Sequence, residues 1–157
     1  MLNKESTAKI DREIAKYPAG QQQSAVMSAL RIAQDELGWL STEAMDFVAA
    51  YLGMAPVAVY EVATFYNMYD LEPVGKYKIT VCTNLSCTLM GSDGVVEHLK
   101  KKLGIDFGET TADGRFTLKE GECMGACGDG PLFLINNKRM CGFLSSEKVD
   151  QILAELE

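Results

Sequence analysis

The chain reads as an α+β protein, with a bundle of short helices over residues 1–72 and a mixed strand-and-helix unit over residues 73–157. Three observations carry that reading. Apolar residues recur at helical spacing as far as about Asp70. Alternating, β-branched runs such as Tyr77-Lys-Ile-Thr-Val-Cys82 appear only beyond that point. Between the two regimes, Leu71-Glu-Pro-Val-Gly75 has neither period and carries a proline and a glycine, which marks a boundary.

The elements follow in order. A first helix is expected over Thr7–Tyr17, stopped by Pro18 and Gly20. Ser24 is placed to cap a second, in which Val26, Leu30, Ala33 and Leu37 share a face and Gly38 is the stop. Ser41 or Thr42 caps a third, with Glu43 in its first turn and Gly53 past its end. Pro56 suits the first position of a fourth, from Val57 to about Tyr66. Short helices with short connections pack as a small antiparallel bundle. Trp39 reads as core. Tyr60, Phe65, Tyr66, Met68 and Tyr69 read as core or subunit interface. Asp11, Glu13, Asp35, Glu36 and Asp46 read as solvated helix faces.

In the second unit, Tyr77–Cys82 is a strand, and Ser92–Leu103 is a helix with Val95, Val96, Leu99 and Leu103 inward. Arg115–Lys119, Leu132–Ile135 and Arg139–Phe143 are strands, the last two joined by a turn at Asn136-Asn137. Ser145 or Ser146 caps a closing helix carrying Val149, Ile152, Leu153 and Leu156. One sheet with helices against it is the economical arrangement for this order.

Composition narrows the function. With 47% hydrophobic and 24% charged residues, the chain has the balance of a globular protein. A net charge of −7 and no clustered basic face exclude nucleic acid as an expected partner, because phosphate neutralisation dominates such binding. Lys100-Lys101-Lys102 closes a predicted helix, where it favours the negative helix end. The uncharged stretch Phe47–Tyr60 is 14 residues long and broken by Gly53 and Pro56, so no membrane insertion is expected. Met1–Ser6 has no apolar run behind its charges, so a signal peptide is not expected and the reading is cytoplasmic.

Five cysteines then stand out, an odd number that argues against a secreted disulfide framework. Cys82-Thr-Asn-Leu-Ser-Cys87 is followed after 35 residues by Cys123-Met-Gly-Ala-Cys127. Each pair sits where a strand gives way to a loop, so four thiolates can converge on one site. Soft thiolates suit iron–sulfur clusters, zinc or copper(I). Gly91, Gly121, Gly125, Gly128 and Gly130 crowd the two loops and favour iron–sulfur, since glycine lets backbone N–H groups approach the sulfurs. A zinc-stapled interaction module, separate redox dithiols and plain buried thiols remain open on spacing alone. Cys141 alternates with apolar neighbours and reads as a small buried side chain. His98, the one histidine, reads as structural. Glu120 and Glu122 flank the second pair, and their charge is expected to disfavour an added electron.

These residues make the chain recognisable. Glu61-Val-Ala-Thr-Phe-Tyr66, Pro73-Val-Gly-Lys76, Gly114-Arg-Phe-Thr-Leu118 and Glu122-Cys-Met-Gly-Ala-Cys127 with Gly130-Pro131 resemble the segments of the NuoE family. That family is the small iron–sulfur subunit of bacterial respiratory NADH:quinone oxidoreductase (complex I). The combined cysteine spacing is specific, and the resemblance spans both halves. It implies a thioredoxin-like second domain holding one 2Fe–2S cluster, with metal ligands Cys82, Cys87, Cys123 and Cys127. Cys141 matches no ligand position. The family often has alanine where Gly130 stands, a change from which no loss of ligation is expected.

A 2Fe–2S cluster exchanges single electrons, whereas NADH surrenders a hydride, so a flavin must stand between them. No Gly-x-Gly-x-x-Gly follows a strand in this chain, so FMN and NADH are expected on a partner subunit. The resemblance implies a NuoF-type flavoprotein partner carrying FMN, the NADH site and a 4Fe–4S cluster, and a NuoG-type iron–sulfur neighbour. It implies a cluster off the main line to quinone, and a place on the cytoplasmic side of the inner membrane through the complex. Equivalent subunits of NAD-dependent formate dehydrogenases or NAD-reducing hydrogenases share the spacing and stand as the alternative.

Overall fold

A computed structural model describes residues 2–156. The chain divides into two compact units, Met1–Pro73 and Val74–Glu157.

In the first unit, α1 (Lys4–Ile14) starts three residues earlier than expected because Asn3 caps it, its side chain accepting from the Ser6 N–H at 2.8 Å. It also ends earlier. Lys16 and Tyr17 donate to Glu13 and Ile14, tightening the turn ahead of Pro18, which disfavours helix in the preceding residue. Ser24 does not cap α2 (Val26–Leu37); it lies in a short 3-10 turn, Gln22–Ala25, that leads into the helix. Gly38 ends α2 at φ 84°, and its N–H closes on Gln34. Val26, Leu30 and Ala33 are buried as their spacing predicts, but Leu37 at the last turn is exposed. Ser41 caps α3 (Thr42–Leu52), accepting from Ala44. Pro56 opens α4 (Pro56–Phe65) at its first position.

Helices α1 on α2, α2 on α3 and α3 on α4 enclose Ile10, Leu30, Leu40, Leu52, Val48 and Val59, all buried. Each such side chain contributes about 1.5–3 kcal/mol relative to exposure. The segment after α4 returns to α2: the Tyr69 hydroxyl donates to the Met27 carbonyl, and Gln34 bonds both Met68 and Asp70. Tyr69 is core, while Phe65 is 78% exposed. Trp39 is half-buried, with the core position taken by Leu40 instead. The acidic faces are partnered: Tyr51 donates to Asp11, Tyr60 to Asp46, and Lys16 and Arg31 pair with Glu13 and Asp35.

In the second unit, β1 (Tyr77–Cys82) pairs in parallel with β2 (Phe116–Gly121) and antiparallel with β3 (Phe133–Ile135), which pairs antiparallel with β4 (Arg139–Cys141). The sheet order is β2-β1-β3-β4. The parallel pair is joined by α5 (Leu85–Leu89) and α6 (Ser92–Leu103). Strand β2 runs to Gly121 rather than Lys119 because its ladder continues as far as Cys82 of β1. Strand β4 stops at Cys141; the chain then turns so that the Phe143 N–H meets the Asp129 carbonyl, with Phe143 at φ 50°. Asn136 and Asn137 make the β3–β4 turn at φ 52° and 56°, a conformation asparagine tolerates. Ser145 caps α7 (Ser146–Glu155), accepting from Lys148.

Alternation sends Ile79, Val81, Leu118, Phe133 and Ile135 into one core with Val95 and Leu99 of α6 and Val149 and Ile152 of α7. His98 Nε2 lies 2.9 Å from Asp150 Oδ1, joining α6 to α7 in a structural role. Cys141 is buried in the same core, as its apolar neighbours predict, and burial pushes its thiol up.

Candidate metal centre

Strand β1 delivers Cys82 as its last residue. There the Cys82 N–H bonds the Leu132 carbonyl at 3.0 Å, and the next N–H, of Thr83, bonds the Gly121 carbonyl at 3.1 Å. The chain then turns into α5, whose Thr88 N–H closes on Asn84, bringing Cys87 to the buried side. Cys82, Cys87 and Leu132 form a small apolar cluster of their own. Strand β2 ends at Gly121 and leads directly to Cys123. Gly125 takes φ 74°, which a side chain resists, and folds the loop back so that Cys127 opens a short 3-10 turn.

Two observations bring the loops together. Met124 and Ala126, which lie between Cys123 and Cys127, pack against the Cys82–Cys87–Leu132 cluster. A Cβ on Gly130 would stand 3.4 Å from the Cys87 sulfur and 3.1 Å from Met90 Sδ, so the chain just past Cys127 runs along the first pair. The alanine common in the resembled family would require Met90 to shift, which its flexible thioether permits. Gly128, by contrast, has open space around it.

All five thiols are free. The Cys123 and Cys127 sulfurs are 3.6 Å apart and exposed. That is far beyond a disulfide bond. It is close to the edge of a tetrahedron of sulfurs around one metal, about 3.8 Å for metal–sulfur bonds of about 2.3 Å. Cys82 and Cys87 are buried. Burial pushes the Cys87 thiol up to about 11, and the adjoining Cys82 sulfur adds to the rise. Two sulfurs this close in an apolar setting need a cationic partner before they ionise, and a metal supplies one. The thiols come as two pairs, Cys82 beside Cys87 and Cys123 beside Cys127. A two-iron cluster uses thiolates in pairs, one pair per iron. The donor set therefore fits the cluster.

The sequence did not reveal the polar ties between the loops. The Thr83 hydroxyl donates to Glu120 Oε1 at 2.8 Å, and Asn84 Nδ2 lies 3.4 Å from Glu122 Oε2. Around the pairs, Leu85, Leu89 and Phe143 are largely exposed. Elsewhere, a charged groove of about 700 Å³ runs along α1 and α2; its lysines and arginines are mostly engaged by neighbouring carboxylates.

Residues 10–157 match the family of thioredoxin-like 2Fe–2S ferredoxins. The chain is 43% identical over 145 residues to the E-type subunit of the NADH-quinone oxidoreductase of Rickettsia conorii, covering 92% of this chain and 86% of the relative. It is 44% identical over 137 residues to the mitochondrial NADH dehydrogenase [ubiquinone] flavoprotein 2 of Dictyostelium discoideum, covering 87% of this chain but 56% of that relative's length. Its fold is similar to part of an NAD+-reducing NiFe hydrogenase, with a TM-score of 0.69 and 22% identity over 81% of this chain and 22% of the other. The pairing of two cysteine loops on a thioredoxin-like sheet and these likenesses agree: the chain belongs to the thioredoxin-like 2Fe–2S ferredoxin family, alongside the E-type subunits of the NADH-quinone oxidoreductases.

Proposed function

We propose that this chain is the electron-transfer subunit of an NADH:quinone oxidoreductase of the complex I type, with Cys82, Cys87, Cys123 and Cys127 holding one 2Fe–2S cluster. The observation that supports the reading is the packing of Met124 and Ala126 against Cys82 and Cys87, which brings the two cysteine loops together. Family membership supports the identity of the group, and the E-type relatives support the assembly.

When bound, such a cluster takes up and returns one electron at a time. The chain's own residues divide the remaining work. Cys82 and Cys87, with Leu132, keep water from one side of the site. Cys123 and Cys127 face solvent, on the side open to a partner. The two loops would hold the group between them, through Cys82 and Cys87 on the buried side and Cys123 and Cys127 on the exposed side. Residues 1–72 serve as the docking unit and residues 73–157 as the cluster-bearing unit.

Hydride chemistry belongs to a NuoF-type partner with FMN and the NADH site, and a NuoG-type iron–sulfur subunit is the second neighbour. Association with them holds the chain on the cytoplasmic side of the inner membrane; among the described residues no helix is long and apolar enough to cross it. Affinity purification of the tagged full chain tests the assembly. A co-purifying flavoprotein that oxidises NADH and passes electrons to quinone is expected. Co-purification with a formate dehydrogenase or a hydrogenase instead would replace this assembly with the alternative one.

A further inference from the structure

Resting on the ligand set above, we propose that Glu120 is a positioning residue for the cluster: its carboxylate holds Thr83, and through it the first cysteine loop, against the second, while its charge lowers the reduction potential. Thr83 is where three supports of the site cross. It directly follows Cys82, and its N–H bonds the Gly121 carbonyl at 3.1 Å. Its carbonyl accepts from the Thr88 hydroxyl at 3.3 Å, and Thr88 directly follows Cys87. Its own hydroxyl donates to Glu120 Oε1 at 2.8 Å. Glu120 lies three residues before Cys123, so this bond joins the strand end that delivers one pair to the strand end that delivers the other. Asn84 and Glu122 form a second, longer tie at 3.4 Å in the same sense.

The carboxylate has two effects that separate by substitution. As an acceptor for Thr83, it restrains the relative position of the two loops. As a negative charge beside the site, it disfavours an added electron. Thr83→Val removes the donor and leaves the charge. Glu120→Gln removes the charge and keeps an acceptor oxygen. Glu120→Ala removes both, and Thr83→Ser restores the donor on a smaller side chain.

The test uses the full chain, purified without oxygen and loaded with iron and sulfide. Cluster release is followed as loss of visible absorbance under an iron chelator, and the potential by titration with dithionite. Thr83→Val and Glu120→Ala are expected to release the cluster roughly three- to ten-fold faster, the factor for one hydrogen bond of ordinary net strength. Thr83→Ser is expected to behave as the unsubstituted chain. Glu120→Gln is expected to release within about two-fold of it and to show a raised potential. Unchanged release in both Thr83→Val and Glu120→Ala, or an unchanged potential in Glu120→Gln, overturns the inference. Failure of the ligand set shows earlier and separately: the unsubstituted chain then binds no iron and sulfide, which removes the basis of both. Should Thr83→Val not fold, the Glu120→Gln potential still decides.

Discussion

Cys87 and Cys141 are both buried thiols, yet they carry opposite expectations. Cys87 stands against Cys82 and under the loop between Cys123 and Cys127, whereas Cys141 is enclosed by the side chains of the sheet core. Cys87→Ser should therefore abolish most of the visible absorbance of the purified chain. Cys141→Ala should leave the iron and sulfide content intact and lower stability by about 1 kcal/mol, the cost of a small cavity, as read by denaturant unfolding. The meeting of the two cysteine loops was legible because each pair stands at the end of a strand, a local feature of the sequence. The Thr83–Glu120 bond was not, because it depends on the parallel register Cys82↔Gly121, which no local pattern encodes. Asp150 offers a pH test. Its hydrogen bond to His98, and then that to Lys102, holds its carboxyl below the ordinary value of 3.8. A lowered carboxyl contributes stability above its unfolded value, and that contribution is lost as pH falls through the folded one. Stability should thus fall more steeply in acid, below about pH 4, for the unsubstituted chain than for Asp150→Asn.

Helices and strands were legible where pattern and punctuation coincide. Tyr77–Cys82 and Ser92–Leu103 form over the spans their periodicity predicts, since each has a continuous buried face. Helix α5 was not legible: five residues hold too little period to show, although this turn brings Cys87 back to Cys82. Strand β2 was misplaced at its ends because its extent is set by the ladder to β1 rather than by its own alternation. Caps were read well at Ser41 and Ser145 and wrongly at Ser24, where a 3-10 turn intervenes. Ser145→Ala removes the acceptor for the Lys148 N–H and should lower stability by about 0.5–2 kcal/mol in thermal or denaturant unfolding. The iron content should not change, because α7 carries no cysteine and packs Val149, Ile152 and Leu153 into the core of the sheet.

The two compact units have separate hydrophobic cores, one around Leu30 and Leu52, the other around Leu99 and Phe133. Leu30→Ala and Leu99→Ala should each cost about 2–5 kcal/mol, and their effects should add within about 0.5 kcal/mol in the double variant, since they share no packing partner. In the proposed site, four sulfurs from two loops enclose a pair of irons. Anomalous scattering from crystals of the oxygen-free full chain, recorded across the iron edge, reads this directly. Two iron peaks are predicted, one within bonding distance of a thiol pair and the other of the second pair, about 2.3 Å from each sulfur. A single peak that responds only at the zinc edge, coordinated by all four sulfurs, would contradict it.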